Sequence, residues 1–502
     1  MPVPPPRPRI FKWAKFNLEA LLMLAEKLHG RSCACDESKI PKSGSLNWVI
    51  FITFDDGLEW VFRSPRYDTH MFSDETASKI LISEASTLKY LENHCQIPVP
   101  KVYSYSGSHD NDIGVPYILQ SKASGRPLSD YRWTEPVVQP PNIRYPISQL
   151  PLSESDRKRI MNQLGAIMCC LSNVHFNKIG SLLEDNTGGF SVGECLSPLF
   201  TWQSRDSLET EIERGPLTDE TLYLQSLVST FTAHAEELPL TPYLFFSPLP
   251  KPADYPTWDS FRAATDRRGD FISVGDKLEG SKNRLDYCIA GQILQEMIPQ
   301  LSSDSTVFTL SHPDLHTGNI FVDEDLNVTC IIDWGSASTG PVTELLATPW
   351  LAGSSKPPSA ALTAVFQAGF SEEYLNINQD MWRRGEMMWS FSRLTGDGNP
   401  LDSRDYGCLF HQRAMAPSNK QLLSKLKKDD LTDAKAKERE NEVFSGDKLE
   451  RLAVARKLTL MDETNPGFIG DRRLWRWIEE ALKDPAHDDI NEKGCDYMGA
   501  LL

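Results

Sequence analysis

The stretch TVFTLSHPDLHTGNIFVDEDLNVTCIIDWGSA, residues 306–337, restricts what this chain can fold into more than any other part of it. Its β-branched and apolar runs are separated by polar loops, so it reads as strand, loop, strand, acidic turn, strand, loop. The first loop places His312, Asp314 and Asn319 at the spacing H-x-D-x-x-x-x-N, and Asp333-Trp334-Gly335 follows the last apolar run. With 10 histidines in the chain, and Asp and Asn each at about 5% of positions, that spacing arises by chance roughly 0.025 times per chain. A D-x-G at the right distance after a strand makes coincidence rarer still.

Pairing residues 328–333 with 319–323 as a hairpin sets the second loop beside the first, and three oxygen-bearing side chains then converge. Asp314 is placed to receive the proton of an attacking hydroxyl. Asn319 and Asp333 offer an amide oxygen and a carboxylate, the hard ligands that Mg²⁺ prefers. These are the parts from which a kinase-type phosphoryl-transfer site is assembled, with the base on one residue and the metal on the other two. His312 reads as a brace for its loop, because the aspartate already supplies the base, and His316 as a positional or substrate-facing group.

Upstream, residues 47–54 and 59–63 are apolar runs around Asp55-Asp56-Gly57, a hairpin signal. Residues 73–93 predict a helix capped at Ser73 or Asp74, with Ile80, Leu88 and Leu91 on one face and Glu84 among them. A carboxylate on an apolar stripe needs a partner, since burying an unpaired charge is costly. The runs IPVPKVYSY and VPYILQ complete a small sheet ending near Ser121. Beyond it the chain reads as mainly helical, with one helix starting at Ser153-Glu154-Ser155-Asp156 and another over residues 283–301. Residues 183–280 read as insertions on that scaffold. A proline-rich arm leads into a helix over residues 16–28. Its basic residues Arg7, Arg9, Lys12 and Lys15 precede the first acid, Glu19, which leaves a mitochondrial import segment as the alternative reading. Residues 420–442 mix both charge signs and read as a solvated helix or loose tail.

The formal charge, 52 basic against 69 acidic residues for a net −17, argues against nucleic-acid or anionic-membrane partners, both of which need a positive field. It permits a cationic small molecule. No run reaches the roughly 18 apolar residues of a membrane span. The 10 cysteines include no C-x-x-C pair, and a reducing, cytoplasmic setting fits them best.

The sequence resembles the aminoglycoside phosphotransferase-like family of kinase-fold proteins, in its fungal branch. The resemblance rests on LSHPDLHTGNIFVDEDLNVTCIIDWGSA, SGSLNWVIFITFDDGLEWVFRSPR, SEASTLKYLENHCQIPVPKVYSY and VPYILQSKASGRPL, with FNKIGSLLE (residues 176–184) a weaker match. It implies an α+β, two-lobed protein-kinase-like fold with a small β-rich N-lobe and a larger, mainly helical C-lobe carrying insertions. Residues 1–41 would then be an N-terminal arm and helix, 42–121 the nucleotide-binding N-lobe, 122–410 the catalytic and acceptor-binding C-lobe, and 411–502 a charged helical extension.

The implied activity is ATP-dependent phosphorylation of a small-molecule hydroxyl, with Asp314 as base and Asn319 and Asp333 as Mg²⁺ ligands. Gly44, Ser45 and Asn47 would cover the phosphates, Arg63 would grip them, Glu84 would hold Arg63, and Ala123-Ser124-Gly125 would lie at the lobe hinge beside adenine. Two departures stand out. Arg63 occupies the strand position where kinases place lysine, an exchange that is not neutral. The phosphate loop, residues 43–47, has one glycine where G-x-G-x-x-G has three, although backbone and hydroxyl donors still suit phosphate. They leave open a purely structural Arg63–Glu84 pair, and a degenerate kinase-fold scaffold or nucleotide-binding protein without transfer activity. Nothing like A-P-E follows Asp333-Trp334-Gly335, which disfavours a protein kinase. Trp133, Trp202, Trp382 and Trp389 are either core residues or walls of an acceptor pocket.

Overall fold

One strand of the first lobe alternates strictly between buried and more exposed positions. The computed structural model describes residues 16–37, 41–43, 46–66, 72–133, 150–237, 291, 294–351, 358–370 and 377–396. The lobe opens with helix α1 (Leu18–His29), capped by the Asn17 side chain and stopped at left-handed Gly30. Strands β1 (Cys33–Cys35) and β2 (Lys42–Ser43) follow, then β3 (Asn47–Phe54), in which Trp48, Ile50, Ile52 and Phe54 are buried at every second position, as a half-buried strand requires. Asp55, Asp56 and Gly57 turn the chain into β4 (Glu59–Pro65), Gly57 at φ +85° where a side chain would be strained. With β5 (Val102–Ser106) and β6 (Tyr117–Ser121), these form a six-stranded antiparallel sheet in the order β1-β3-β4-β6-β5, with β2 on β3. Leu21 and Ala25 of α1 are buried against Trp48 and Phe62, so the lobe takes in α1 and β1 as well as the strands after Lys42.

Helix α2 (Asp74–His94) begins at Ser73, whose hydroxyl accepts the Thr76 N–H. It belongs to both halves of the molecule. Leu81 and Ala85 pack on Ile118 of β6, whereas Leu88 and Leu91 enter the core of the second lobe.

The chain crosses over at β7 (Arg126–Pro127), which pairs with a strand of the second lobe, and β8 (Tyr131–Arg132) pairs with β9 (Leu150–Pro151). Helix α3 (Glu154–Ser172) starts with a reciprocal capping box between Ser153 and Asp156. A hairpin of β10 (Leu182–Glu184) and β11 (Phe190–Val192) leads to the short α4 (Pro198–Thr201) and to α5 (Glu220–Glu237). Strands β12 (Thr309–Ser311), β13 (Ile320–Val322), β14 (Val328–Ile331) and β15 (Ser338–Gly340) carry the 306–337 stretch, followed by α6 (Thr343–Leu346), α7 (Ala360–Gly369) and α8 (Gln379–Thr395). β13 pairs with β14 as expected, and also with β7, so the interlobe crossing is stitched directly to the hairpin of the catalytic loop.

The architecture is the expected α+β, two-lobed, kinase-like one. One core of the second lobe gathers α3, α7 and the β13–β14 hairpin around Trp334, and another gathers α5, residues 294–301 and α8. Among the described residues no helix is long and apolar enough to cross a membrane. Gly44 and Ser45, the part of the expected 283–301 helix before residue 291, and the 411–502 extension lie outside the described residues.

Candidate active site

The loop after β12 is held from inside. His312 Nδ1 accepts the backbone N–H of Asp314 at 3.1 Å, which leaves the ring proton on Nε2, and that proton goes to the Ile332 carbonyl at 3.0 Å. Burial pushes the imidazole pKa below its ordinary value and so favours this neutral form. His312 is therefore the brace its position in the sequence suggests. Asn319, only 6% exposed, donates its amide N–H to the Asp314 carbonyl at 2.9 Å. Its Oδ1 is then the atom it can offer a cation. The Asp314 carboxylate stays half exposed and has His316 Nε2 at 3.6 Å, while His316 Nδ1 accepts the Gly318 N–H at 3.0 Å.

Asp333 sits at φ +67°, a conformation that Asp and Asn tolerate better than most side chains. Its carboxylate meets Arg63 Nη1 of β4 at 3.3 Å, and the other arm of that guanidinium is paired with Glu84 of α2. The partner that Glu84 needed is thus Arg63. Burial pushes the Glu84 carboxyl up to about 7 against the pull of Arg63, and among the described residues its Oε1 has no hydrogen-bond partner. Burial alone would lower the Arg63 pKa, but the two carboxylates outweigh it and the guanidinium is held above its ordinary value. Gly335 lets the chain pass this cluster, since a Cβ there would stand 3.3 Å from Glu84 Oε2. Asn47, Arg63, Glu84, Asp314, Asp333 and Ser336 line one narrow crevice of about 60 Å³. Ser43 to Asn47 enters it only through Leu46 and Asn47 among the described residues.

Through Pro198, Trp202, Pro313 and Asp314, that crevice shares a wall with a cavity of about 430 Å³. The cavity is framed by Trp202, Trp389 and Met388 and by a carboxylate that the sequence did not single out, Glu344 of α6. Ser311 Oγ donates to Glu344 Oε2 at 2.7 Å and Tyr223 OH to Oε1 at 3.1 Å, and burial pushes the carboxyl up to about 7. Its only signal was an acidic residue in the apolar run after Gly340-Pro341. Trp202 and Trp389 are thus cavity residues, Trp389 stacked on Trp350 at 3.9 Å. Trp133 is core and Trp382 packs edge-on to Phe370. At the hinge, the Ser124 carbonyl accepts the Thr329 hydroxyl at 2.6 Å. Gly125 is obligatory there, because a Cβ would lie 2.2 Å from the Val322 oxygen.

A β-rich lobe and a helical lobe, with an H-x-D-x-x-x-x-N loop and a D-x-G loop meeting between them, define a kinase-like phosphotransferase. The sequence profile described as the phosphotransferase enzyme family matches residues 38–386, and the chain belongs to that family. A subtelomeric hrmA-associated cluster protein of Aspergillus fumigatus is 25% identical over 320 residues, covering 59% of this chain and 57% of the relative. Altered inheritance of mitochondria protein 9, mitochondrial, of Candida albicans is 31% identical over 183 residues, covering 34% of this chain and 27% of the relative. The chain thus spans little more than half the length of the first of these relatives. Among solved structures, a putative fructosamine-3-kinase from Thermobifida fusca aligns with a TM-score of 0.41 and 14% identity, over 82% of this chain and 98% of that one. The macrolide 2'-phosphotransferase of Brachybacterium faecium aligns with a TM-score of 0.37 and 14% identity, over 82% and 100%.

Proposed function

We propose that this chain transfers the γ-phosphoryl group of ATP to a hydroxyl of a small molecule. The observation that carries the reading is the placement of Asp314 on the wall common to the crevice of Arg63 and Asp333 and to the larger cavity. An acceptor in the cavity would present its hydroxyl to Asp314, which takes the proton as the oxygen attacks. Arg63 would bind phosphate oxygens through its fork, held in place by Glu84. Asn319 Oδ1 and Asp333 would hold Mg²⁺. Its remaining ligands would be water and phosphate oxygens, as is usual for this ion. When bound, Mg²⁺ supplies neutralisation of the charge that builds on the transferred group.

The test is incubation of the purified chain with MgATP and a pooled metabolite extract, followed by mass spectrometry for a product heavier by one phosphoryl group. Transfer that disappears in Asp314→Asn supports the reading; an unchanged rate in that variant refutes the base. A second reading, a nucleotide-binding scaffold without transfer, draws on the direct Arg63–Asp333 contact, which occupies a carboxylate the metal would use. MgATP binding with no product from any pool would favour it. The acceptor is proposed to be cationic on the strength of Glu344, and residence in the cytoplasm or in mitochondria is separated by imaging the tagged full-length chain.

A further inference from the structure

Glu84 and Asp333 reach Arg63 from parts of the chain far apart in sequence, which meet directly where the Trp334 N–H donates to the Glu84 carboxylate. One short segment touches both. At one end, the Gly180 N–H donates to Thr339 Oγ1 at 3.0 Å, the Thr339 N–H returns to the Gly180 carbonyl at 2.7 Å, and Ser181 Oγ donates to the Ala337 carbonyl at 3.2 Å. Ala337 closes the turn that follows Asp333, its N–H donating to the Trp334 carbonyl at 3.0 Å. At the other end, the Glu184 N–H donates to Ser86 Oγ at 3.0 Å, and the Glu184 carboxylate pairs with Lys89 and accepts the Tyr105 hydroxyl at 3.1 Å. Ser86 and Lys89 lie on α2 just past Glu84. The Glu184 side chain is 12% exposed and Ser86 is fully buried.

The segment between these ends has little slack. Gly193 N–H donates to the Ser181 carbonyl at 2.8 Å and Ser181 N–H to the Glu194 carbonyl at 3.2 Å. A Cβ on Gly180 would stand 2.0 Å from the Gly193 oxygen, so the two runs of the hairpin are in direct backbone contact. Leu88 and Leu91 of α2 are already embedded in the second lobe's core. The helix that carries Glu84 is therefore anchored in the second lobe as well as on the sheet that carries Arg63, where Leu81 and Ala85 pack on Ile118.

We propose that residues 180–184 form a strut that sets the separation of Glu84 from Asp333, and that Glu184 is the positioning residue through which it acts on the Arg63 site. The effect on nucleotide rests on the phosphate-binding reading of Arg63; the mechanical coupling does not.

Hydrogen–deuterium exchange on the full nucleotide-free chain tests the coupling. Glu184→Ala should raise exchange together in α2 and in residues 333–338, with the β3–β4 hairpin unchanged. A rise confined to residues 180–192, or none, overturns the strut. Calorimetric titration with MgATP then tests the consequence. Affinity should fall about 3- to 30-fold in Glu184→Ala and in Lys89→Glu, and recover in the swap of Lys89→Glu with Glu184→Lys, a rescue that mere loss of packing would not allow. Wild-type affinity in Glu184→Ala, or no recovery in the swap, overturns the positioning role. Should Glu184→Ala fail to fold, Tyr105→Phe and Glu184→Gln give smaller, graded effects in the same two measurements, and flat responses in both overturn the proposal. A wild-type chain that binds no MgATP defeats the proposed function, and the exchange result alone then decides the strut.

Discussion

The imidazole of His312 lies edge-on to the indole of Trp334, with ring centroids 4.7 Å apart and planes at 67°. The contact joins the loop of Asp314 to the loop of Asp333; of the ring's two hydrogen bonds, one closes its own loop at the Asp314 N–H and the other reaches the Ile332 carbonyl just after β14. Three loop-fixing interactions thus depend on one side chain.

His312→Ala should lose all three and strand the Asp314 N–H and the Ile332 carbonyl, a cost of about 2–3 kcal/mol in urea unfolding. Phosphoryl transfer should fall further than MgATP affinity, because the base loop loosens first. The bonded ring is neutral and its pKa is held below the ordinary value, so its contribution is whole above pH ~6.5 and is lost as pH falls through the lowered value. An unfolding curve with the wild-type midpoint and acid limb would refute the bracing role.

Arg63→Met leaves the Glu84 carboxyl buried without its cation. At about pH 8 the expected loss is roughly 3–5 kcal/mol. Burial already raises Glu84 to about 7 with Arg63 present. A carboxyl raised in the folded state contributes stability below its unfolded value that is lost as pH rises through the folded one, so the deficit of Arg63→Met should shrink toward about pH 5. Pairing Arg63→Met with Glu84→Leu should restore most of the stability but not MgATP binding. Thermal melts across this range check it; a deficit independent of pH would contradict the ion-pair account.

Local signals carried much of this. The Asp55-Asp56-Gly57 turn, the Ser73 and Ser153 caps and the 319–333 hairpin follow from short-range stereochemistry, and each stands where its residues put it. Glu84 announced itself as a charge on an apolar stripe, and Arg63 was offered as its partner only by the resemblance to the kinase fold. Glu344 did not announce itself. Its hydrogen-bond donors, Ser311 and Tyr223, are both remote from it in sequence, and a carboxylate in a short helix has no periodicity to violate. Glu184 was equally silent, because its role arises only where the β10–β11 hairpin meets α2. The place of α1 and β1 in the first lobe was also hidden, since three residues of strand give too little pattern to show which sheet they join.

Gly165 of α3 and Gly369 of α7 mark where two helices touch backbone to backbone. A Cβ on Gly165 would stand 2.0 Å from the Phe366 oxygen, and one on Gly369 would stand 2.2 Å from the Asn162 oxygen. Neither atom can swing aside, so Gly165→Ala should destabilise by about 3 kcal/mol despite alanine's better helix propensity. Gly57→Ala, with open space but φ +85°, should cost about 1 kcal/mol from backbone strain alone. Equal losses in chemical denaturation would show that the helices can separate.

Glu344 ionises as pH rises through about 7, since burial raises its carboxyl against the Ser311 and Tyr223 hydroxyls that favour the charge. An amine-bearing acceptor in the cavity should then show a KM that falls between about pH 6 and pH 8 in the wild type. In Glu344→Gln the same KM should be flat. Because the raised carboxyl loses stability as pH rises, Glu344→Gln should also gain in melting temperature relative to wild type over that interval. A neutral polyol whose KM showed the same pH dependence would remove the charge pairing from the explanation.

Asp314 and Asp333 differ in what their neighbours ask of them. The Asp314 side chain is 49% exposed, with His316 Nε2 at 3.6 Å, so Asp314→Asn should leave stability within about 0.5 kcal/mol of wild type. Its amide cannot accept the acceptor proton, and transfer should drop by about 10²–10⁴ with MgATP affinity retained. Asp333 is bound to Arg63 and sits in left-handed backbone. Asp333→Asn keeps that conformation accessible but removes the charge, so it should weaken MgATP binding itself, with the loss appearing in the titration before any turnover is measured. Asp333→Ala adds roughly 1–2 kcal/mol of backbone strain, and its melting temperature should fall below that of Asp333→Asn. If both asparagine variants bound MgATP equally well and lost transfer equally, the division of labour between base and metal ligand would be wrong, and the two carboxylates would have to act as one unit.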